Sequence, residues 1–142
     1  MLSSQFQGFC RDLHSECVDF LVSAAGGLDG IGAAVASLAS QRKLDSGNPN
    51  PGNLGHDFGR LGMPFWSQVK QYDKRAASWQ KELETLNSWR NAIGHQDFKS
   101  VGANQVRLRE VRRWRSACQG LARIFDKALA GHLTAIAKSS PW

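Results

Sequence analysis

The sequence predicts an all-α protein: a four-helix bundle of the up-and-down type, with a long loop between its second and third helices. Three observations carry this prediction. Apolar residues recur at three- and four-residue steps along most of the chain, no stretch alternates in the two-residue manner of a strand, and the periodic segments are separated by runs rich in Gly, Pro and Asn.

The first helix is expected from Ser3 to Ala24, where Phe6, Phe9, Leu13, Cys17, Phe20 and Leu21 mark one face. Gly26, Gly27, Gly30 and Gly32 then crowd together and predict a break before a short second helix around Ala33 to Arg42. From Asp45 to Pro64 the composition predicts a long irregular loop, with Leu54, Phe58 and Leu61 turned back onto the core. A third helix is expected from Phe65 onward, along the stripe Val69, Tyr72, Ala76, Trp79, Leu83 and Leu86. Four residues further on, the stripe lands on Arg90, a charge at a position reserved for the seam, before resuming at Ile93. A turn around Ser100 to Ala103 leads to the last helix, whose stripe is Val111, Trp114, Cys118, Leu121, Phe125, Ala128, Leu133 and Ile136.

At 142 residues the chain is expected to form one domain, spanning 1–142, around one core. Apolar residues are 42% of it and are spread evenly. No run approaches the roughly 20 apolar residues of a membrane span. The start lacks a signal-peptide pattern, so no membrane association and a cytoplasmic location are expected. Cys10, Cys17 and Cys118 are an odd count with no CxxC pair, which argues for reduced core thiols and against a disulfide framework or a zinc site. Neither a metal nor a cofactor is expected. The net charge of +6 favours a polyanionic partner.

The segment Arg90-Asn91-Ala92-Ile93-Gly94-His95 carries the chemistry. An RNA strand can be cut by its own 2′-hydroxyl if one group removes that proton, another protonates the departing oxygen, and a cation stabilises the phosphate. An imidazole titrates near neutrality and suits the proton steps; a guanidinium stays charged and can grip two phosphate oxygens. On an unbroken helix, Arg90 and His95 would project about 140° apart. Gly94 is therefore a candidate point for the helix to end and bring the imidazole round. If the helix continues instead, Asn91, one turn before His95, is placed to hydrogen-bond its ring. A structural reading stays open beside this one, with Arg90 buried against a carboxylate and His95 capping a helix end.

The segment resembles the R-x4-6-H motif of the HEPN superfamily, in which the residue after the arginine is commonly polar, as Asn91 is. The resemblance implies a helical bundle of this size and a metal-independent endoribonuclease. It also implies an active site completed across a homodimer, which would supply two histidines, and products with a 2′,3′-cyclic phosphate and a 5′-hydroxyl. The catalytic set it implies is Arg90 on the phosphate, His95 in acid–base chemistry and Asn91 in support. Relatives of this type commonly act as toxins or defence effectors, sometimes with a nucleotidyltransferase-type antitoxin as partner. The competing reading is a non-catalytic module that binds nucleotide, RNA or a protein through the same face.

Arg107, Arg109, Arg112, Arg113 and Arg115 form a second cluster, offset only by Glu110, and are candidates for holding RNA phosphates. A solvated helix face is the plain alternative. Asp97 either orients His95 or caps the chain's exit. His14, His56 and His132 stand alone, His56 beside Asp57 and Arg60 being the second candidate. Trp66, Trp79, Trp89 and Trp114 mostly fall on or beside apolar stripes and are expected in the core rather than stacked on bases, and Trp89, off the stripe beside Arg90, is also a candidate interface contact.

Overall fold

The computed structural model describes residues 1–27, 29–102 and 105–142. Among these the chain is helical, with no strand. Its helices are α1 (Leu2–Ala24), α2 (Ile31–Ala36), α3 (Lys43–Ser46), α4 (Pro51–Gly59), α5 (Phe65–Tyr72), α6 (Ala76–His95) and α7 (Leu108–Ala137). Short 3-10 turns cover Ser37–Ala39 and Phe98–Val101. Three long helices, α1, α6 and α7, carry the bundle. In place of a fourth rod, α4 packs on α1 and α6 while α5 packs on α6 and α7.

The stretch expected to be an irregular loop is largely helical, and its capping chemistry explains why. Asn50 accepts a hydrogen bond from the Asn53 N–H at 2.8 Å, and Pro51 occupies the first helical turn, where a missing N–H costs nothing. The glycines of α4 weaken its intrinsic propensity, and burial compensates: Leu54 and Phe58 are fully enclosed, each such side chain contributing about 1.5–3 kcal/mol. Leu61 is also in the core. The second helix is shorter than expected, since α2 gives way to a 3-10 turn at Ser37.

The third helix is two helices. Asp73 accepts from the Arg75 N–H at 2.8 Å and holds its guanidinium at 2.8 Å, closing a turn between α5 and α6. Tyr72 lies half-exposed there, off the seam. Beyond it, α6 buries Leu83, Leu86, Trp89 and Ala92. Steps of three carry the buried face backwards around a 3.6-residue helix. The seam therefore leaves Arg90 at its edge, exposes Ile93 to 49% and takes Trp89, 5% exposed, into the core, contrary to the expected stripe.

Helices α6 and α7 run antiparallel, with Glu82 facing Arg113 and Trp79 facing Gly120. A β-carbon at Gly120 would lie 2.6 Å from the Trp79 ring, so the glycine lets the helices approach. Most of the expected α7 stripe is buried, from Trp114 to Leu133. Val111 and Ile136 are instead exposed: Val111 lies on the open wall of a cleft that it shares with Leu86 and Trp89, and Ile136 is in the last turn of this 30-residue helix. The expected turn before α7 falls partly on Ala103, outside the described residues; up to Val101 it is a 3-10 turn.

The three cysteines are free and buried. Burial pushes the Cys17 and Cys118 thiols up to about 12 and Cys10 well above its ordinary range, so all three stay protonated and inert.

Candidate active site

The residues singled out by the motif lie on the last turns of α6. The helix continues through Gly94 and ends at His95. Its terminator is Gln96, in the left-handed conformation with φ 55°. The Gln96 N–H returns to the Ile93 carbonyl and the Asp97 N–H to that of Ala92, the paired bonds of a Schellman cap, with glutamine where glycine is usual.

With the helix unbroken, Arg90 and His95 project on different sides, yet both line one open cleft of about 320 Å3, together with Asn91, Ile93, Gly94 and Met1. The helical wheel accounts for this. Gly94 falls at about 40° between Arg90 at 0° and His95 at about 140°, so a bare patch of helix lies between the two side chains. A β-carbon at Gly94 would meet nothing within 4 Å. The glycine opens the cleft rather than ending the helix.

Arg90 is half-buried. Among the described residues it enters no ion pair. His95 is exposed, and no described hydrogen bond holds its ring. The bond expected between Asn91 and His95 is absent among the described residues: the Asn91 side-chain oxygen accepts from Asn48 Nδ2, on the linker between α3 and α4. That linker is itself braced, since Asn53 donates to the Asn48 carbonyl at 2.7 Å and Asn87 to the Pro49 carbonyl at 3.2 Å. Among the described hydrogen bonds the Asp97 carboxylate neither orients His95 nor caps the chain's exit; its backbone carbonyl takes part there instead, accepting from the Ser100 hydroxyl at 2.8 Å.

A second cleft of about 290 Å3 adjoins the first, sharing Met1, Arg90 and Ile93 with it. Its walls are the first turn of α1, Leu86 and Trp89 of α6, and Val106, Val111 and Trp114. Met1, Asn48 and this apolar cleft were not legible in the sequence, because each is joined to the motif only by folding.

Arg107, Arg109, Arg112, Arg113 and Arg115 are all exposed at the start of α7. Among the described ion pairs only the Arg113 guanidinium has an acidic partner, Glu82 at 3.5 Å, while the Arg107 backbone N–H donates to the Glu110 carboxylate at 2.8 Å. Of the other four, Arg107 and Arg109 sit at the positive end of the α7 dipole, an unfavourable place for cations, which Glu110 in the same turn partly offsets.

His56 does not belong to this site. Its Nδ1 meets the buried Asp57 carboxylate at 2.9 Å, and the same carboxylate accepts from the N–H groups of Lys43 and Leu44, each at 2.9 Å, at the start of α3. Burial alone would raise the Asp57 pKa; the hydrogen bonds from His56, Leu44 and Lys43 outweigh it and hold the carboxyl below its ordinary range. His14 is fully buried with Nε2 3.2 Å from the Asp57 carbonyl, and burial drives its pKa down. His132 binds the Leu61 carbonyl at 2.9 Å. Among the described residues, no group of three or more His, Cys, Asp or Glu is arranged to hold a metal ion. No described helix is long and apolar enough to cross a membrane.

The fold and the motif at the end of α6 define an all-α domain of the HEPN superfamily. The family model RiboL-PSP-HEPN matches residues 37–131, and the chain belongs to that family. The match takes in Arg90 to His95 and the arginines of α7. HEPN domains generally serve as ribonucleases or nucleotide-binding modules. No curated protein and no solved structure matches the chain.

Proposed function

We propose that the chain is a metal-independent endoribonuclease acting at the Arg90–His95 cleft. The observation that carries the reading is that Arg90, Asn91 and His95 line one open cleft, with the guanidinium in no described ion pair. A half-buried arginine without a carboxylate is poised for an anion from outside, and a phosphodiester offers two oxygens at guanidinium spacing.

In the proposed reaction the 2′-oxygen attacks the adjacent phosphorus while its proton passes to an imidazole. The bond from phosphorus to the 5′-oxygen breaks, and the leaving oxygen takes a proton from an imidazolium. The products are a 2′,3′-cyclic phosphate and a 5′-hydroxyl. Arg90 stabilises the charge on the pentacoordinate phosphate. A two-fold homodimer would bring a second His95 and separate the base from the acid. Asn91, tied to Asn48, is a positioning residue, and Arg107, Arg109, Arg112 and Arg113 hold flanking phosphates. A role as toxin or defence effector under a nucleotidyltransferase-type antitoxin belongs to the same reading.

The test is incubation of the purified protein with labelled RNA in excess EDTA. Cleavage should occur and be lost in Arg90→Ala and His95→Ala while helicity and oligomeric state persist. One observation favours the second reading, a non-catalytic module that binds nucleotide, RNA or a protein: no described hydrogen bond fixes the His95 ring in one tautomer. RNA binding without turnover by the unmodified protein would establish it.

A further inference from the structure

The nuclease reading uses the cleft at His95 and leaves its apolar neighbour without a role. This second cleft, about 290 Å3, is small for a ligand site, where about 300–1,000 Å3 is usual, so it suits one ring system rather than a chain segment. Its walls include Trp89, Ile93, Val111 and Trp114, and among the described lining residues Arg90 brings the charged side chain. Arg90 also lines the His95 cleft. An occupant that satisfies both spaces must be flat and apolar at one end and anionic at the other.

Two polar groups sharpen this picture. Ser3 and Trp114 line the cleft, and the Ser3 hydroxyl and Trp114 indole N–H have no hydrogen-bond partner and almost no accessible surface of their own, so an occupant meets them only as the wall yields. Buried polar groups are seldom left unpaired, because each orphan costs about 1–3 kcal/mol. A nucleobase carries ring nitrogens and carbonyls at its edge and an apolar face, and one sugar links it to its phosphate.

We propose that the apolar cleft seats a nucleobase next to the phosphate bound at Arg90, making it the base subsite of the chain. The proposal rests on the reading that the Arg90–His95 cleft receives an RNA phosphate, and it is tested by binding rather than by cleavage, so that the two can fail separately.

The experiment compares adenosine monophosphate with ribose 5-phosphate on the full chain, following affinity and the indole N–H NMR signal of Trp114, assigned by Trp114→Phe. The nucleotide should bind about tenfold or more tightly than ribose 5-phosphate, as burial of the base's apolar face against the apolar wall provides, and should shift the Trp114 signal. Val111→Phe, which fills the cleft from a half-exposed position, should abolish that difference while ribose 5-phosphate still binds. Val106→Phe repeats the test from another wall should the first variant misfold. Equal affinity for the two probes would overturn the proposal, as would a nucleotide advantage that survives the filled cleft or a second copy of the chain covering it. A nucleotide that binds as predicted to a protein that never cleaves RNA would remove the nuclease and leave the base subsite standing.

Discussion

Asn48 donates its side-chain amide to the Asn91 oxygen, tying the linker between α3 and α4 to the helix that carries Arg90 and His95. The two residues are separated by 43 positions in sequence, so the site depends on a segment far outside its motif. Asn48→Ala should lower kcat for RNA cleavage about 2–10-fold, the worth of one hydrogen bond at about 0.5–1.5 kcal/mol. KM should change little, because no cation is lost. Single-turnover kinetics against a short RNA check this.

Acid should destabilise the fold in two stages, both with the same sign. His14 is held neutral in the core with its pKa below the ordinary 6.5, so the unfolded chain takes up a proton first and stability falls as pH drops below about 6.5. Asp57 has its pKa held below 3.8, and its contribution, present above that value, is lost as pH falls through the folded-state pKa. Urea unfolding at steps from pH 8 to pH 5 should show the first loss. In His14→Gln that loss should be reduced.

The contact of Trp79 with Gly120 sets the spacing of α6 and α7. Gly120→Ala places a β-carbon 2.6 Å from the ring and should destabilise by about 1–3 kcal/mol, an overpacking cost that outweighs alanine's better helix propensity. Denaturant midpoints measure it. Gly94→Ala meets no atom within 4 Å and should leave stability unchanged or raised, while narrowing the cleft and slowing cleavage.

If the α7 arginines hold phosphates, binding to single-stranded RNA should weaken with salt. Arg112→Ala should reduce the slope of log affinity against log salt by about 0.7, the share of one phosphate contact. Arg113→Ala should reduce it less, because Glu82 at 3.5 Å already offsets that charge. Titrations at several salt concentrations distinguish the two.

The helical class and the burial of most of the α7 stripe were legible in the sequence because periodicity reports directly on which face is buried. The α4 helix was not, since its glycines and prolines read as loop, while its stability comes from the Asn50 cap and from Leu54 and Phe58 meeting distant helices. Arg90 and His95 were singled out through the R-x4-6-H resemblance. How they come to share a cleft was not, because Gly94 reads as a helix stop and instead acts as the gap between them. Trp89 fell off the expected stripe because a strict seven-residue repeat ignores the drift of a 3.6-residue helix.

The account stands on a guanidinium and an imidazole acting on one phosphodiester without a metal. Analysis of the RNA ends produced in excess EDTA tests this most directly. The predicted result is cleavage leaving 2′,3′-cyclic phosphate and 5′-hydroxyl termini, absent with His95→Ala. Termini bearing a 5′-phosphate, or an unchanged cleavage rate in His95→Ala, would contradict it.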